Sequence, residues 1–501
     1  MNIGIVTTWF ERGAAYVSRQ YMNILKNDDV FIYARGGSYA LDDPNWTCFK
    51  VTWDSRGDNR WSSTDIDITQ FLNWIIENQI ELIFFNEQVF LEPIIVAKKH
   101  GIIVGAYIDY YRLDSIETFH LYDFLICNTQ RHYSVFRNFP QCFYVPWGTD
   151  VNLFRPNINS QTKTNAVRFF LSAGYSPRRK GADKAISAFY KIKNENCKLI
   201  IHSQIELMAS LPELSDVIDE LLNEKKLEII EKSVTAPGLY YMGDVYVYPS
   251  WLDGIGLSVA EALASGLPVI TTDEAPMNEF GEEPFALRAK VNKHISREDA
   301  YYWPLSIVDE DDLCECMLYF IQNADRLSEM KNAARDYAIQ KLDWSKNSEC
   351  VEKIFHSVKS FKLNEEVVML AKEYDKKNRS VGYRKYLYKN KLIKVLSKLK
   401  ELPDRTALYC AGIHTDELID YLFLMDIKII GIFDKKKSGE TCKGIKIFDP
   451  ADISIIKPEA IIISSFRFQN EVEKELVDTY CFKGKIIKLY DEIDDGDFLD
   501  I

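Results

Sequence analysis

The sequence predicts an α/β protein built on parallel β-sheets, and three observations lead to this expectation. Short apolar runs alternate with longer amphipathic segments along the chain, which is the pattern of parallel βα units. With 501 residues, the chain is too long for a single hydrophobic core and indicates about two to four domains. Its 47% hydrophobic and 27% charged residues are typical of a globular protein. We therefore expect several α/β domains, each with its own sheet.

Two large Rossmann-like domains are predicted first, over residues 1–155 and 156–357. A polar stretch at residues 156–165 marks the boundary between them. In the first domain the predicted helices are Tyr16–Leu25 and Ile68–Asn78, and the predicted strands are Ile3–Thr7, Val30–Tyr33, Leu82–Phe85, Ile103–Tyr107, Phe124–Cys127 and Phe143–Pro146. In the second domain, helices up to Phe355 follow strands that are predicted near Phe169, Lys198, Leu227, Val245 and Val269.

A basic helical linker is predicted over residues 358–404. Its segment Lys376–Lys400 carries ten Lys or Arg residues and no acidic residue, with apolar side chains between them. Such a segment is either a solvated helix or a contact for anionic lipid head groups, to which each basic residue contributes about 1 kcal/mol. Peripheral contact with an anionic membrane is therefore one of the two expectations for this segment.

The last predicted domain, residues 405–501, is a small Rossmann-like module. It begins with a strand and a glycine turn at Thr406–Thr415, and its second strand ends at Asp434. A single glycine stands where the dinucleotide fingerprint G-x-G-x-x-G has three. We therefore expect a structural or acceptor-facing module without bound NAD.

The most informative segment runs from Asp253 to Glu261 and reads Asp-Gly-Ile-Gly-Leu-Ser-Val-Ala-Glu. The apolar runs before and after it place it at the carboxyl end of a parallel strand, where open α/β sheets bind ligands. Gly254 and Gly256 allow backbone N–H groups to approach an anion, and a helix that starts near Leu257 adds its N-terminal dipole. The two carboxylates would then accept hydrogen bonds from sugar hydroxyls. The alternative is that Asp253 caps the helix and Glu261 is exposed.

This segment resembles the E-x7-E signature of the family 4 glycosyltransferases, with Asp253 in place of the first Glu. These are retaining enzymes with the two-domain GT-B fold. Val145–Pro156 is similar to the family's interdomain segment, and Phe169–Gly174 followed by Arg178-Arg-Lys-Gly181 resembles the opening of its donor domain. Gly13 matches the glycine that faces the donor diphosphate in the family.

The resemblance covers about residues 1–355 and implies two Rossmann-like domains that face each other across a cleft. It also implies metal-independent transfer of a sugar from a nucleotide-diphosphate sugar to a glycan or lipid-linked acceptor, as in the bacterial group 1 transferases of glycan biosynthesis. No cofactor is expected besides the nucleotide-sugar co-substrate, and the sequence leaves its base open. The donor-binding residues that the resemblance implies are Gly13, Arg178, Arg179, Lys180, Asp253, Gly254, Gly256, Leu257, Ser258 and Glu261.

Lys180 and Asp253 are the expected catalytic residues among these. Lys180 would stabilise the departing diphosphate, while Asp253 would bind a hydroxyl of the donor sugar and Glu261 would bind the ribose. The family often has an Arg where this chain has Tyr175. Either Arg178 or Arg179 is expected to take the role of that arginine.

Glu87 and Asp109, both at predicted strand ends, are the candidates on the acceptor side, and each is also suited to a cap or turn. The histidine that the family often has directly before this aspartate is absent. The nearest histidines, His120 and His132, lack the spacing of metal ligands and are expected to lie on the polar surface. No metal site is predicted.

Charge and composition disfavour several classes of partner and location. A net charge of −13 argues against binding to nucleic acid. The chain begins with a strand pattern rather than a signal segment, and it has no apolar run of about 18 residues. Its cysteines are scattered, without a C-x2-C pair. We therefore expect a protein of the reducing cytoplasm, either free or peripheral at the inner membrane face.

Two other functions remain open at this point. One is a sugar epimerase of the UDP-GlcNAc 2-epimerase type, although the layout from Lys180 to Glu261 speaks against it. The other is a catalytically degenerate protein that acts as a binding or scaffolding subunit. The shortened acid at Asp253 and the missing histidine are the features that favour this second alternative.

Overall fold

The computed structural model describes the chain except for residues 37–41, 48, 57–63, 158–165, 298, 379–398, 400–401, 413–414, 416–417, 420–421, 423–426, 466–468 and 490–501. It forms two compact units, Met1–Asp375 and Lys376–Ile501. Most of the basic segment predicted at Lys376–Lys400 lies outside the described residues. The first unit contains two large parallel sheets, as the sequence predicts.

The first sheet holds the amino-terminal part of the chain. Its strands are β1 (Asn2–Thr7), β2 (Asp29–Ala34), β3 (Val51–Trp53), β4 (Leu82–Asn86), β5 (Ile103–Tyr107), β6 (Phe124–Cys127) and β7 (Cys142–Tyr144), and its helices are α1 (Gly13–Ile24), α2 (Pro44–Thr47), α3 (Ile68–Glu77), α4 (Glu92–Lys99) and α5 (Gln130–Phe136). The strand order is β3-β2-β1-β4-β5-β6-β7, with all neighbours parallel. The central strands are buried on both faces, which is why they read as continuous apolar runs.

The second sheet has the same kind of winding. Its strands are β8 (Val167–Gly174), β9 (Cys197–Ser203), β10 (Leu227–Glu231), β11 (Val245–Tyr248), β12 (Val269–Thr272) and β13 (Ala286–Ala289), and the helices around it are α6 (Ala182–Lys191), α7 (Leu207–Ser210), α8 (Ser215–Asn223), α9 (Leu257–Ala264), α10 (Glu310–Gln322) and α11 (Leu327–Lys341). The order is β10-β9-β8-β11-β12-β13. A separate antiparallel hairpin, β14 (Val291–Ile295) with β15 (Leu305–Val308), was not predicted.

The topology fixes where ligands are expected to bind. The order of strands along the sheet reverses beside β1 in the first sheet and beside β8 in the second. Ligands of open α/β sheets bind outside the carboxyl ends of the strands at such switch points. The loops after β1, β4, β5, β8 and β11 are therefore the ones that build a site.

After the second sheet the chain crosses back to the first. The elements that make this crossing are α12 (Trp344–Asn347), α13 (Glu349–Ser357) and α14, which covers 365–378. The Trp344 ring packs edge-on against Tyr21 of α1, with ring centroids 5.6 Å apart. Residues 358–375, which the sequence analysis assigns to the linker, pack against the first domain because α14 buries three apolar side chains there, Val368, Ala371 and Tyr374.

The second unit is a smaller α/β domain. Its described strands are β16 (Thr406–Tyr409), β17 (Ile429–Phe433), β18 (Thr441–Cys442), β19 (Ile445–Phe448), β20 (Ala460–Ile463) and β21 (Lys485–Lys488), with α15 (Ile453–Ile456) and α16 (Gln469–Asp478) beside them. The order is β18-β19-β17-β16-β20-β21, and only β18 is antiparallel to its neighbour. This is the predicted Rossmann-like module. Within the described part of the chain, no helix combines the length and the apolar character needed to cross a bilayer.

Candidate active site

The loop after β11 and the first turn of α9 form the centre of the site. Gly256 is the N-cap of α9 and has φ 85°, a left-handed conformation that glycine adopts at little cost. Leu257 and Ser258 are the first two residues of the helix, so their N–H groups belong to the free amides at its start. Glu261 lies one turn further along the helix. The predicted arrangement of strand, glycine loop and helix is confirmed.

Lys180 lies directly beside Asp253, although 73 residues separate them. It belongs to the loop between β8 and α6, and β8 is the neighbour of β11 in the sheet. Its ammonium donates to the two carboxylate oxygens of Asp253 at 3.0 and 2.8 Å, and it also donates to the Tyr248 hydroxyl. The two charged side chains are only 18% and 14% exposed. Burial lowers the pKa of Lys180, and the neighbouring carboxylate offsets this only in part.

Asp253 is held as an ionised carboxylate. Burial alone would raise its pKa, but the charges of Lys180 and Arg179 outweigh that effect, and the pKa lies below its ordinary value. The Tyr248 hydroxyl donates to the same carboxylate, and Ser250 Oγ donates to it at 3.3 Å. These two partners were missed by the sequence analysis because they stand in or just after an apolar strand, where side chains are read as core.

The structure separates the two candidate arginines. The Arg179 guanidinium lies 3.8 Å from the Asp253 carboxylate and donates to the Leu252 carbonyl at 2.5 Å. Arg178 instead pairs with Glu213 at 2.7 Å. Arg179 is therefore the arginine that joins the charge cluster around Asp253.

Glu261 is half-buried rather than exposed. It accepts a hydrogen bond from the Tyr240 hydroxyl at 2.5 Å. Burial raises the pKa of Glu261, and the hydrogen bond from Tyr240 and the charge of Lys180 reduce this rise. The carboxyl group is thus fixed on the cleft side of α9. The alternative that Glu261 is an exposed helical residue does not hold.

Gly13 stands on the opposite wall. It is the first residue of α1, and a Cβ atom built on it would lie 3.4 Å from Leu257 Cδ1 at the start of α9. The loop after β1 and the start of α9 therefore face each other at van der Waals distance. This confirms the expectation that two Rossmann-like domains face each other across a cleft.

Glu87 and Asp109 lie on the same wall as Gly13, after the neighbouring strands β4 and β5. Burial raises the pKa of Asp109 well above its ordinary value, and the charge of Glu87 and a hydrogen bond to it raise it further. Glu87 has φ 53°, a region that residues other than glycine rarely occupy. Such backbone strain is concentrated at functional sites.

Asp109 also reaches the glycine loop of the second domain. A Cβ atom on Gly254 would lie 1.6 Å from Asp109 Oδ1, so only glycine fits at this point of contact. Asp109 and the glycine loop after β11 therefore touch across the cleft.

The sequence prediction for His132 is wrong. This histidine is fully buried, because α5 turns it away from solvent and towards the second domain. Its Nδ1 lies 3.0 Å from the Tyr111 hydroxyl, and its Nε2 lies 3.0 Å from the Gly254 carbonyl oxygen. His120, in contrast, is 39% exposed, as predicted. No signal in the sequence marks His132, since a polar residue near a helix start is usually on the surface.

The cleft between the two walls has a volume of about 1600 Å³, and every predicted site residue lines it. Its size exceeds the range of about 300–1,000 Å³ that is usual for small-ligand sites. The cleft therefore has room for a large ligand or for two ligands side by side.

A group of three side chains with metal-ligating atoms occurs among the described residues, away from this cleft. It consists of Asp28, Glu352 and His356. Asp28 Oδ1 accepts from the amino terminus at 3.0 Å, and its Oδ2 lies 3.0 Å from His356 Nε2. The carboxylate is thus already engaged by protein groups.

Comparison with known families and curated proteins gives matches in both units. Residues 154–282, which include the loop of Lys180 and the segment from Asp253 to Glu261, match the family described as glycosyl transferases group 1. Residues 403–487 match the family described as C2185-like, N-terminal. The uncharacterized glycosyltransferase 335 of Sulfolobus islandicus rod-shaped virus 1 is 27% identical over 111 residues, covering 21% of this chain. The match spans only a third (33%) of that relative's own length.

Several solved structures resemble this chain along almost their whole length. Sucrose-phosphate synthase from Thermosynechococcus elongatus aligns with a TM-score of 0.56 at 14% identity and covers 71% of this chain and 98% of its own. HepE from Anabaena, in complex with UDP, aligns with a TM-score of 0.57 at 13% identity and covers 71% of this chain and 100% of its own. A glycosyltransferase from Rickettsia africae aligns with a TM-score of 0.56 at 13% identity, with coverages of 71% and 99%. The chain therefore has the GT-B fold, and its residues 154–282 match the group 1 glycosyltransferases.

Proposed function

We propose that this protein is a retaining, metal-independent glycosyltransferase that moves a hexose from a nucleotide-diphosphate sugar to a glycan or lipid-linked acceptor. The observation that carries the proposal is the charge cluster of Lys180, Arg179 and Asp253. It lies at the start of α9 and faces the acceptor-side carboxyl group of Asp109. Retention and independence from metal follow the resemblance of this segment to the family 4 enzymes.

The departing nucleotide diphosphate is the group with the largest charge to stabilise. Lys180 and Arg179 supply two cations on one side of the cleft. The free amides and the dipole at the start of α9 add a fixed positive potential. Groups already oriented towards a developing anion lower the barrier without reorganisation during the reaction. This arrangement can stabilise the leaving group without a metal ion.

Asp253 is proposed to act on the donor sugar. Its pKa is held low by its cationic neighbours, so the carboxylate is ionised at neutral pH. It can accept a hydrogen bond from a ring hydroxyl and stabilise the positive charge that develops at the anomeric carbon. Because Asp is one methylene shorter than Glu, the sugar is expected to lie closer to the strand end than in family members with two glutamates.

Glu261 is proposed to bind the ribose diol. Its carboxyl group is fixed by Tyr240 at 2.5 Å, on the helix face that lines the cleft. A carboxylate one turn from the amides that bind the diphosphate is well placed for the ribose of the same nucleotide.

Asp109 and Glu87 are proposed to bind the acceptor hydroxyl. Burial raises the pKa of Asp109 well above its ordinary value, and the charge of the neighbouring Glu87 and a hydrogen bond to it raise it further, which favours the protonated form of Asp109. Such a pair can donate one hydrogen bond and accept another. That suits a hydroxyl that must be oriented and then deprotonated.

A lipid-linked acceptor is supported by the basic segment Lys376–Lys400. A segment of this kind would hold the protein at an anionic surface where such an acceptor is embedded. This part of the proposal is independent of the donor site.

A thermal-shift panel of UDP, GDP, ADP and CMP sugars tests the donor part. UDP sugars come first, because HepE was solved with UDP-glucose. The matched pair Lys180→Met and Lys184→Met controls for the loss of a lysine, since Lys184 is 22% exposed and pairs with Glu310 outside the cleft. Stabilisation by one donor class that is lost only in Lys180→Met supports the proposal.

Analysis of the products formed when the protein is incubated with the same nucleotide sugars distinguishes the alternatives. Binding of a donor without any release of nucleotide diphosphate would indicate the scaffolding subunit. Conversion of the donor into a second nucleotide sugar would indicate the epimerase. No stabilisation by any nucleotide sugar would overturn the proposal.

A further inference from the structure

A row of hydrogen-bonded side chains passes from the β14–β15 hairpin through the first domain to the glycine loop of the donor site. Trp303 Nε1–H, from the hairpin, donates to the Tyr111 hydroxyl at 2.6 Å. The Tyr111 hydroxyl lies 3.0 Å from His132 Nδ1. His132 Nε2 in turn lies 3.0 Å from the Gly254 carbonyl oxygen. The row therefore begins and ends in the second domain, and its middle belongs to the first.

The direction of every hydrogen bond in this row follows from its two ends. The indole N–H can only donate and the Gly254 carbonyl can only accept. His132 Nε2 must therefore carry a proton. The ring is neutral, because burial and the neighbouring Arg131 lower the pKa of His132 to about 3. Its Nδ1 then accepts from Tyr111, whose oxygen accepts from Trp303, and each donor meets one acceptor.

Gly254 is fixed from two sides, by His132 and by Asp109. Its carbonyl accepts from His132, and its α-carbon packs so closely on Asp109 that no Cβ atom would fit. Gly254 directly follows Asp253 and comes two residues before the N-cap of α9. The position of its peptide therefore sets the orientation of both the carboxylate and the helix start.

We propose that His132 is a positioning residue that holds the loop Asp253–Gly256 in its donor-binding geometry when the two domains are closed on each other. The proposal rests on the proposed function, since it assigns the loop to the donor. It explains why a polar side chain is fully buried at the interface of the two domains. Its role is exerted through the Gly254 carbonyl, and His132 itself touches neither donor nor acceptor. The charged and titratable groups that face the ring are Arg131 and Tyr111.

Two substitutions of similar size separate a positioning role from a merely structural one. In His132→Gln the side-chain amide nitrogen can occupy the place of Nε2 and donate to Gly254. In His132→Asn the amide reaches only the place of Nδ1, and the Gly254 carbonyl is left without its donor. We expect turnover of the donor in H132Q to stay within about threefold of the wild type, and turnover in H132N to fall at least about tenfold.

Turnover is measured well below the melting temperature of each variant, with His120→Asn as a control at an exposed histidine. An equal loss in H132Q and H132N would mean that only burial of the ring matters, and would overturn the proposal. Unchanged turnover in H132N would also overturn it.

A second readout does not depend on the donor. Nuclear magnetic resonance of the wild-type protein with ¹⁵N-labelled histidine should show His132 as the neutral Nε2–H tautomer from about pH 5 to pH 8. A ring that is protonated on Nδ1, or that titrates in this range, would overturn the inference about His132. A wild-type protein that shows the expected tautomer but consumes no donor would instead count against the proposed function.

Discussion

The replacement of Lys180 by alanine is the perturbation whose effect the structure defines best. The ammonium is the only cation within 3.0 Å of the Asp253 carboxylate among the described residues, and it lines the cleft beside the start of α9. A charge-assisted hydrogen bond to a phosphate contributes about 1.5–3 kcal/mol. The affinity for a nucleoside diphosphate should therefore fall by about 10- to 150-fold.

The same substitution also leaves Asp253 with weaker partners. Tyr248 and Ser250 still donate to it, and Arg179 remains 3.8 Å away. Because the charge of Lys180 is the largest favourable effect on this carboxylate, its pKa should rise in the variant. Loss of one partner from a buried ion pair costs up to about 3–5 kcal/mol of stability. The variant must therefore be shown to be folded at the temperature of the titration.

Isothermal titration calorimetry with UDP measures the effect, and Lys184→Ala is the matched control. Lys184 is similarly exposed, at 22% against 18%, and binds Glu310 at 2.6 Å outside the cleft. We expect wild-type affinity in Lys184→Ala and the weakened affinity in Lys180→Ala. Equal UDP affinity in the wild type and in folded Lys180→Ala would show that this lysine does not bind the diphosphate.

Three further predictions follow from the same geometry. Asp253→Asn should lower the turnover number at least about tenfold, roughly 1.4 kcal/mol, with little change in nucleotide affinity, whereas Glu261→Gln should weaken nucleotide binding. Kinetics and titrations on both variants check this, and normal turnover of Asp253→Asn would leave that aspartate with only a structural role as the partner of Lys180. Gly254→Ala should destabilise the protein by about 1–3 kcal/mol through overpacking, because the methyl group of the new alanine would collide with Asp109. A denaturant midpoint equal to that of the wild type would contradict this contact. If residues 376–400 bind anionic lipid, the fraction of protein that co-sediments with anionic liposomes should fall steeply as the salt concentration rises, since exposed charges are screened within about 8 Å at physiological ionic strength. Absent or salt-independent binding would favour the solvated helix.

The strands of the two large sheets could be predicted because they are buried on both faces. Runs such as Leu82–Asn86 and Val245–Tyr248 are wholly buried, so nearly every position is apolar or aromatic and the pattern is unambiguous. Val51–Trp53 is a short edge strand that is only half-buried, and the exposed hairpin strand Val291–Ile295 is largely polar. Neither carries enough apolar pattern to be recognised.

The site could be predicted in part for a topological reason. Lys180 and Asp253 stand in loops after strands that are neighbours in this winding, so their meeting follows from the fold. The choice between Arg178 and Arg179 depends on the local path of one loop, which the sequence does not encode in a readable way. The burial of His132 depends on how the two domains close, and that is a tertiary property without a local pattern.

The decisive measurement is proton nuclear magnetic resonance of the anomeric protons while the preferred nucleotide sugar is consumed. We expect the wild type to release nucleoside diphosphate and to form a first product with the same anomeric configuration as the donor. We also expect the reaction to persist in Lys184→Ala and to be strongly reduced in Lys180→Ala. A first-formed product of inverted configuration, or no release of nucleoside diphosphate from any sugar in the panel, would contradict the proposed function.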